Sequence, residues 1–181
     1  MDITDISTRY SVRRLDKSDV ADIYALCSKN TLYYRHCPPF VTERGIYDDM
    51  EALPPGKEVC DKLYLGFYDG ADLVAVLDLI LGFPNDKTAY IGFFMTETSV
   101  QNAGVGSGII DELCVWLKRA GFSSVRLGWV SGNAQAERFW LKNGFIETGE
   151  IYDKESFRVV AAMRGLISSE TDFNMQNAQK R

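Results

Sequence analysis

The chain has 181 residues, of which 46% are hydrophobic and 25% are charged, and its formal net charge at pH 7 is −5. This length predicts a single domain, residues 1–167, with a substantial core and a polar tail at residues 168–181. High-affinity binding of phosphate backbones needs a basic face, and the sequence has no cluster of lysine and arginine. We therefore expect no nucleic-acid partner.

Neither a metal site nor a membrane partner is expected. The four cysteines form no C-x-x-C pair and the chain has one histidine, a composition that disfavours a zinc site. The longest apolar run, around residues 73–83, is too short to span a bilayer, and the first residues lack the pattern of a signal peptide. A cytoplasmic protein with reduced thiols is the expectation.

The first part of the chain predicts a strand and two helices. Residues 10–15 alternate as a short strand, and residues 16–28 carry apolar side chains at helical spacing. Residues 30–40 hold several aromatic side chains before two prolines and predict a loop or a broken helix. Residues 42–53 predict a second helix, which a Pro-Pro-Gly run stops.

The rest of the chain predicts strands interrupted by two helices. A hairpin turn at Asp69-Gly70 joins the first two of these strands. The predicted strands cover residues 62–68, 73–81, 89–95, 124–130, 145–148 and 157–163, and the predicted helices cover residues 104–120 and 133–143. This order predicts an α/β or α+β fold, with a mixed central sheet of about six to seven strands and helices on both faces.

A glycine-rich run opens the helix predicted at residues 104–120. It reads Q-N-A-G-V-G-S from Gln101 to Ser107. Free N–H groups and the positive end of the helix dipole favour an anion there, so we predict a pyrophosphate cradle.

Two other phosphate-binding motifs do not fit this run. A P-loop would need a lysine after the last glycine, and that lysine is absent. A dinucleotide-binding fold would need an acidic residue about 20 positions later, and the next strand ends without one. The remaining interpretation is the pyrophosphate arm of coenzyme A.

Two motifs carry a family resemblance. The first is Q/R-x-x-G-x-G/A, and the residues that match it are Gln101, Asn102, Ala103, Gly104, Val105 and Gly106. The second lies further along the chain, at Asn133, Ala136, Phe139, Gly144 and Phe145. With these motifs in this element order, the chain resembles the GNAT superfamily of N-acetyltransferases over nearly its whole length. The resemblance implies an acyl-CoA N-acyltransferase-like fold. It also implies transfer of an acetyl group from acetyl-CoA to a primary amine of a small molecule or peptide, by direct attack in a ternary complex.

The resemblance further implies where the acetyl-CoA co-substrate binds. The main-chain N–H groups near Asn102–Ser107 would hold the pyrophosphate, and Gln101 belongs to the same cofactor-binding run. Asn133 would contact the cofactor where two strands splay apart. The strand before the glycine run would pair with the pantetheine arm and supply a donor to the thioester oxygen. The residues implied in this strand are Phe94, Met95 and Thr96.

Two carboxylates are candidates for the base that takes a proton from the amine. Asp78 interrupts an otherwise apolar predicted strand, where a carboxylate needs a partner or a function. It pairs with an arginine such as Arg126 or Arg158, or it holds or deprotonates the acceptor amine. Glu97 lies just beyond the strand that would supply the donor. It acts as a base through a water, or it is a solvated loop carboxylate.

Trp140 departs from the family pattern, which usually has a tyrosine at this place. By the resemblance, that tyrosine protonates the departing thiolate of coenzyme A. An indole N–H donates hydrogen bonds but cannot act as a proton-transferring acid. A thiol with a pKa of about 8.5 is still a tolerable leaving group, so we expect catalysis to be slower or differently assisted. The alternative function is a catalytically impaired acyl-CoA-binding sensor or interaction module.

The acceptor pocket is predicted in the aromatic segment at residues 30–40. Tyr33 and Tyr34 line this pocket, or they clamp a loop. His36 is the only histidine of the chain, and histidine is the residue type that ordinarily titrates near neutral pH. It contacts the acceptor or is simply exposed. The acceptor itself is not identified by the sequence. Exposed strand edges in this architecture often pair, so a homodimer is one expectation for its assembly.

Overall fold

The structure is a computed structural model that describes residues 2–154 and 156–166. In this part of the chain the strands are β1 (Ser11–Arg14), β2 (Lys62–Asp69), β3 (Asp72–Leu81), β4 (Thr88–Thr96), β5 (Ser124–Val130), β6 (Ile146–Asp153) and β7 (Arg158–Gly165). The α-helices are α1 (Val20–Cys27), α2 (Thr31–His36), α3 (Glu43–Glu51), α4 (Val105–Arg119) and α5 (Ala134–Lys142). The predicted polar tail, residues 168–181, lies outside the described residues. The predicted end of the domain at residue 167 therefore stays a prediction.

One sheet with the strand order β1-β2-β3-β4-β5-β7-β6 forms the centre of the described chain. The strands β4 and β5 are parallel, and the other neighbouring pairs are antiparallel. Parallel neighbours cannot be joined by a tight turn, and α4 provides the crossover between them. The predicted mixed sheet of six to seven strands is confirmed.

Helices cover both faces of this sheet, as predicted. On one face α4 and α5 pack over a core in which Ile109 and Leu113 are fully buried. On the other face α1 and α3 bury Ile23 and Ile46 in a second core. The central strand β3 is covered on both sides, which explains why its sequence is apolar almost throughout. Asp78 is the exception within that strand.

The predicted hairpin between β2 and β3 is present. Its loop consists of Gly70 and Ala71, and Gly70 has a φ of 61°, a conformation that glycine adopts without strain. The register shifts by one residue between Phe67 and Tyr68, and beyond that shift Tyr64 of β2 lies opposite Asp78 of β3. Two residues further along, Lys62 pairs with Ile80 on the same face of the sheet as Asp78.

The segment predicted as a loop or a broken helix contains the short helix α2. This helix ends before Pro38-Pro39, because a proline disfavours helical geometry in the residue before it. The helix predicted at residues 16–28 begins instead with a 3-10 turn at Lys17–Asp19, and Asp16 and Asp19 form a capping box there. None of the helices in the described ranges has the length and apolar character needed to cross a bilayer.

Strand β6 is longer than the predicted strand at residues 145–148. The register of its pairing with β7 shifts between Glu147 and Ile151, and Gly149 within the shift has a φ of 83°. A bulge of this kind lets the strand continue to Asp153. All residues of β6 are exposed at the edge of the sheet. A homodimer through such an edge stays a prediction.

Candidate functional site

The strands β4 and β5 separate partway along their length. Their parallel pairing ends where Ile91 lies beside Leu127. Strand β4 continues to Thr96 and β5 continues to Val130, so their C-terminal halves diverge. A cleft therefore opens between two strands at the carboxyl end of the parallel pair, where α/β folds commonly bind ligands.

A bulge in β4 coincides with this separation. On the opposite side of β4, Asp78 pairs with Phe93 and Leu79 pairs with Ile91, which leaves Gly92 without a partner on β3. A bulge bends a strand and increases its local twist. The bend at Gly92 accounts for the divergence of β4 from β5.

Main-chain groups of β4 face the cleft at alternate residues. The Glu97 N–H donates to the Val74 carbonyl at 2.9 Å, so Glu97 is hydrogen-bonded toward β3. The alternation of an antiparallel ladder then directs the main-chain groups of Thr96 and Phe94 away from β3, and those of Met95 toward it. Of the three residues predicted here, Phe94 and Thr96 thus present N–H groups on the cleft side.

The predicted cradle follows β4 after a 3-10 turn at Thr98–Val100, and it lies at the start of α4. Asn102 and Gly104 have positive φ angles of 61° and 83°, so the chain turns sharply into the helix. The first main-chain hydrogen bond of the helix start runs from Gly108 N–H to the Gly104 carbonyl at 2.9 Å. The amides at residues 105–107 precede that bond and have no carbonyl four residues earlier within the helix. They form the positive end of the α4 dipole.

The two glycines of the motif are required for different reasons. A Cβ on Gly104 would meet no atom within 4 Å, so its positive φ is what favours glycine. A Cβ on Gly106 would lie 3.2 Å from a ring carbon of Phe139 and 3.5 Å from one of Phe94. Gly106 therefore lets α4 approach α5 and β4 closely. Asn102 and Ala103 are exposed beside Gly104, so the cradle opens to solvent.

Gln101 directs its side chain into the protein. Its Nε2 atom donates to Asn30 Oδ1 at 2.7 Å and to the Thr96 carbonyl at 3.3 Å. The Gln101 side chain is thus hydrogen-bonded both to the loop between α1 and α2 and to the end of β4. The main-chain N–H of Gln101 donates to the Thr98 carbonyl at 3.3 Å, so the free amides of the predicted cradle begin after Gln101.

Asn133 caps helix α5. Its side chain is buried, and its Oδ1 atom accepts a hydrogen bond from the Ala136 N–H at 3.1 Å. Asparagine is a favoured residue at this position because its oxygen satisfies a free amide of the first turn. The capping explains the residue locally, and the predicted contact with the cofactor stays a prediction.

Trp140 lies in an aromatic cluster beside the cleft. Its ring centroid is 4.9 Å from that of Phe139, 5.1 Å from that of Phe145 and 6.1 Å from that of Phe94. Only 8% of the residue is exposed. Since Phe94 belongs to the cleft edge of β4, the cluster forms part of the wall on the α5 side.

Asp78 pairs with a lysine, and the predicted arginine partner is wrong. Lys62 Nζ donates to Asp78 Oδ2 at 2.9 Å and also to two main-chain carbonyls near the C-terminus of α3. Arg126 instead pairs with Glu150. Lys62 is only 5% exposed, so this is a largely buried ion pair. A buried lysine needs such partners because desolvation of its charge is costly.

The second carboxylate oxygen of Asp78 is different. Oδ1 is buried and has no hydrogen-bond partner among residues 2–154 and 156–166. Burial raises the pKa of Asp78, although the charge and the hydrogen bond of Lys62 oppose that rise. An unpartnered oxygen on a carboxyl group with a raised pKa is chemically suited to accept a proton.

Glu97 has the opposite environment. Oε2 accepts from Lys29 Nζ at 2.9 Å, and Oε1 accepts from the N–H and the hydroxyl of Thr98, each at 2.9 Å. Burial raises the pKa of Glu97, but the hydrogen bonds from Lys29 and Thr98 outweigh it, so this pKa lies below its usual range. Both oxygens are occupied, and the geometry favours Asp78 over Glu97 as a base.

The two predicted tyrosines belong to an aromatic wall on the other side of the cleft. The ring centroids of Tyr33 and Tyr34 are 5.0 Å apart, and Tyr33 lies 5.8 Å from Phe93 in an edge-to-face arrangement. Tyr34 also contacts Phe40. Because Phe93 is the residue of β4 opposite Asp78, α2 and the carboxylate lie on the same face of the sheet. Burial raises the pKa of both tyrosines, which therefore remain neutral hydroxyls.

His36 is the last residue of α2 and is half-buried. It is thus on the same short helix as Tyr33 and Tyr34, and its predicted contact with an acceptor stays a prediction. In the part of the chain that the structure describes, no group of three or more histidine, cysteine, aspartate or glutamate side chains could hold a metal ion.

Three residues of this site were not predicted. Lys62 could not have been found by counting along the β2–β3 hairpin, because the register shifts between Phe67 and Tyr68, and only this shift places Lys62 diagonally across from Asp78. Gly92 gave a weak signal, because a glycine inside a strand indicates a bulge. Asn30 gave none, because its partners are distant in sequence.

The architecture is similar to that of solved acetyltransferases. An acetyltransferase from Thermus thermophilus has a TM-score of 0.69 and 15% identity, covering 86% of this chain and 96% of that chain. The ribosomal-protein-S18-alanine N-acetyltransferase from Escherichia coli has a TM-score of 0.62 and 15% identity, covering 89% and 97%. The PaiA N-acetyltransferase from Thermoplasma acidophilum, in complex with coenzyme A, has a TM-score of 0.61 and 16% identity, covering 84% and 97%. At such identities the likeness shows the fold alone.

No curated protein sequence matches this chain. The profile of the Acetyltransferase (GNAT) family does match it, over residues 26–145. This range includes β2 to β5, the cradle and α5, which is well over half of the 181 residues. The chain therefore belongs to the GNAT family of acetyltransferases.

Proposed function

We propose that this protein transfers an acetyl group from acetyl-CoA to a primary amine of a small molecule or peptide, by direct attack in a ternary complex. One observation carries the proposal. The cleft-facing main chain of Phe94 lies on the strand that leads, through the short turn at Thr98–Val100, into the open N-terminus of α4. A single ligand with an extended, amide-containing arm and a pyrophosphate would satisfy both features, and coenzyme A has both parts.

The residues of the chain would bind such a ligand through the main chain. Amides of residues 102–107 receive the pyrophosphate at the positive end of α4. The free edge of β4 pairs with the pantetheine arm as an added strand would. Asn133, at the start of α5, contacts the cofactor on the β5 side of the cleft. The coenzyme A in the Thermoplasma acidophilum neighbour supports this assignment.

The same edge supplies the electrostatic part of the reaction. Negative charge develops on the thioester oxygen as the amine attacks, and a preoriented donor stabilises it. The Phe94 N–H is the proposed donor, because it faces the cleft and belongs to a rigid strand. The side chain of Phe94, stacked at 6.0 Å on Phe139, fixes its position.

Asp78 is the proposed base. An amine with a pKa of about 10 is mostly protonated near neutral pH and must lose a proton before it attacks. Asp78 Oδ1 is unpartnered, and Lys62 holds the other oxygen in place. Tyr33, Tyr34 and His36 on α2 are the proposed walls of the acceptor pocket, on the same face of the sheet. The Escherichia coli neighbour acetylates an alanine of a ribosomal protein by its name, which supports a peptide amine as one acceptor class.

The proposal is tested first by binding. Isothermal titration of the pure protein with acetyl-CoA and CoA is expected to show one site. Gly104→Asp is expected to abolish binding, because a side chain at positive φ and a negative charge would both disturb the cradle. Gly121→Asp is the matched control, since Gly121 also has a positive φ, of 88°, at the opposite end of α4. Equal affinities for the two variants would place the cofactor elsewhere.

A second candidate function has support from Trp140. Its buried indole cannot transfer a proton, which favours an acyl-CoA-binding sensor or interaction module that has lost turnover. Binding does not separate the two candidates, but turnover does. Release of the CoA thiol is measured with a panel of polyamines, amino acids, aminoglycosides and peptides. Acceptor-dependent release with any amine rules out the inactive protein, and no release with bound acetyl-CoA supports it.

A further inference from the structure

Asn30, between α1 and α2, contacts three separate segments through one side-chain amide. Its Nδ2 atom donates to the Leu26 carbonyl at 3.1 Å and to the Thr96 carbonyl at 3.2 Å. Its Oδ1 atom accepts from Gln101 Nε2 at 2.7 Å. Gln101 Nε2 also donates to the Thr96 carbonyl, at 3.3 Å. These contacts span 66 and 71 residues of sequence.

The partners determine the orientation of both amides. Main-chain carbonyls only accept hydrogen bonds, so the NH₂ groups of Asn30 and Gln101 must both point toward Thr96. The oxygen of Asn30 is then the atom that faces Gln101 Nε2. Both lone pairs of the Thr96 carbonyl are used. We call this set of bonds among Asn30, Gln101 and Thr96 the amide clamp.

The amide clamp connects the two halves of the site. Gln101 immediately precedes the free amides of the cradle, and Thr96 is the last residue of the strand that borders the cleft. Asn30 immediately precedes α2, whose Tyr33 contacts Phe93 of the same strand. The position of α2 and the conformation of the cradle are therefore set by the same few hydrogen bonds.

We propose that Asn30 is a positioning residue that couples occupation of the cofactor cradle to the placement of α2, the wall of the acceptor pocket. This inference rests on the proposed function. When the cradle binds an anion, Gln101 is held in its clamped conformation, and Asn30 and α2 are held with it. Acetyl-CoA binding thereby prepares the acceptor side before the amine arrives.

A neighbouring ion pair joins the same two segments but contributes less. Lys29 and Glu97 lie 2.9 Å apart, and the side chain of Lys29 is 54% exposed. Solvent and salt screen such a pair, and the lysine loses side-chain entropy when it forms. The amide clamp is partly buried and fixed by several bonds at once, so it carries most of the coupling.

A double-mutant cycle measures this coupling through CoA affinity. Asn30→Ala and Gln101→Ala are each expected to weaken CoA binding about three- to tenfold, the effect of losing one or two ordinary hydrogen bonds. The double variant is expected to bind no more weakly than the weaker single variant, because either change already breaks the clamp. Ser28→Ala is the control, since that side chain bonds only within α1. Fully additive effects in the cycle would overturn the proposal.

Hydrogen exchange provides a measurement that a purely structural role would not change. In the wild type, saturating CoA is expected to slow amide exchange both at residues 97–107 and in α2. In Asn30→Ala, and equally in Gln101→Ala, CoA should still protect the cradle but no longer α2. Thermal melting verifies that both variants are folded.

CoA binding and the exchange rate of α2 test the proposed function and the coupling separately. If the wild type binds no CoA, the proposed function is wrong, and the coupling falls with it. If the wild type binds CoA while α2 exchanges at the same rate with and without it, or if α2 is still protected in both variants, only the coupling is wrong.

Discussion

A Cβ atom on Gly92 would lie 2.7 Å from the Oδ2 atom of Asp78. Real side chains do not make contacts this short, so only glycine allows the carboxylate to lie against β4. The same glycine forms the bulge at which β4 leaves β5. Gly92 thus shapes the cleft and leaves room for the proposed base.

Gly92→Ala is expected to displace Asp78 from Lys62. Overpacking of this kind costs about 1–3 kcal/mol of unfolding free energy, and turnover should fall by at least about tenfold if the base moves. Urea unfolding and initial rates are the measurements. Gly165→Ala is the control, because a Cβ there would meet nothing within 4 Å. Wild-type rates and stability in Gly92→Ala would contradict the proposed packing.

The two carboxylates should differ in their effect on rate. Asp78→Asn keeps the shape and an acceptor for Lys62 but removes the basic oxygen, so kcat should fall roughly 10²-fold or more. Glu97→Gln, whose parent carboxylate has both oxygens occupied, should change kcat less than about threefold. The pH dependence of kcat should lose its acidic limb in Asp78→Asn alone. A larger loss in Glu97→Gln would reverse the assignment of the base.

Removal of Lys62 should show how much unfolding free energy is lost when the buried carboxylate of Asp78 has no charged partner. Lys62→Met is expected to lower the unfolding free energy by about 3–5 kcal/mol near neutral pH. Lys62 lowers the pKa of Asp78, so in the variant that pKa lies further above its unfolded value. A carboxyl group with a raised folded pKa loses stability as pH rises through that pKa. The deficit of the variant should therefore shrink on acidification.

Urea unfolding of Lys62→Met at about pH 5 and about pH 8 measures this change. Lys17→Met serves as the control, because Lys17 pairs with Glu51 on the surface, where the two side chains are 67% and 65% exposed. That pair should contribute less than about 1 kcal/mol at either pH. A deficit for Lys62→Met that is independent of pH would mean that Asp78 stays charged without its partner.

The stabilising effect of Asp19 should have the opposite pH dependence. Arg13 Nη1 donates to Asp19 Oδ2 at 2.9 Å, and Nη2 donates to Oδ1 at 2.6 Å. The hydrogen bond from Arg13 holds the pKa of Asp19 below its ordinary value of 3.8. Such a group stabilises the fold above its unfolded pKa, and this stability is lost as pH falls through the folded pKa.

Asp19→Asn should therefore cost about 1–3 kcal/mol near neutral pH. The difference from the wild type should diminish in acid, once the wild-type carboxyl is protonated. Denaturant unfolding across the acidic range measures it. A difference that persists unchanged at the lowest pH would indicate that the charge of Asp19 is not the cause.

Two substitutions at Trp140 separate the hydroxyl from the packing. Trp140→Tyr and Trp140→Phe remove a similar volume from the cluster with Phe94, Phe139 and Phe145, and each should cost about 1–3 kcal/mol of stability. Only Trp140→Tyr adds a group that can protonate a thiolate. A higher rate of CoA release in Trp140→Tyr than in Trp140→Phe is expected if the acid limits turnover. Equal rates in the two variants would show that it does not.

Local signals were sufficient for most of the fold. The hairpin at Gly70 and the α4 start at Gly104 follow from turn and helix-capping rules that act over a few residues. The register of β2 and β3 near Asp78 does not follow from that turn, because it shifts by one residue between Phe67 and Tyr68. The length of β6 was not predicted, because a bulge at Gly149 depends on pairing with β7.

By itself, the sequence determined the elements, the cradle motif and the family, because backbone geometry and helix dipoles depend on neighbouring residues. The tertiary structure alone decided the partner of Asp78, the use of Gln101 and the position of Asn30. Each depends on contacts between segments that are far apart in the chain, and the burial of these contacts determines how strong they are. Asp78 is a clear case: its sequence position predicted a need for a partner, but only packing under α3 selected Lys62 and left Oδ1 free.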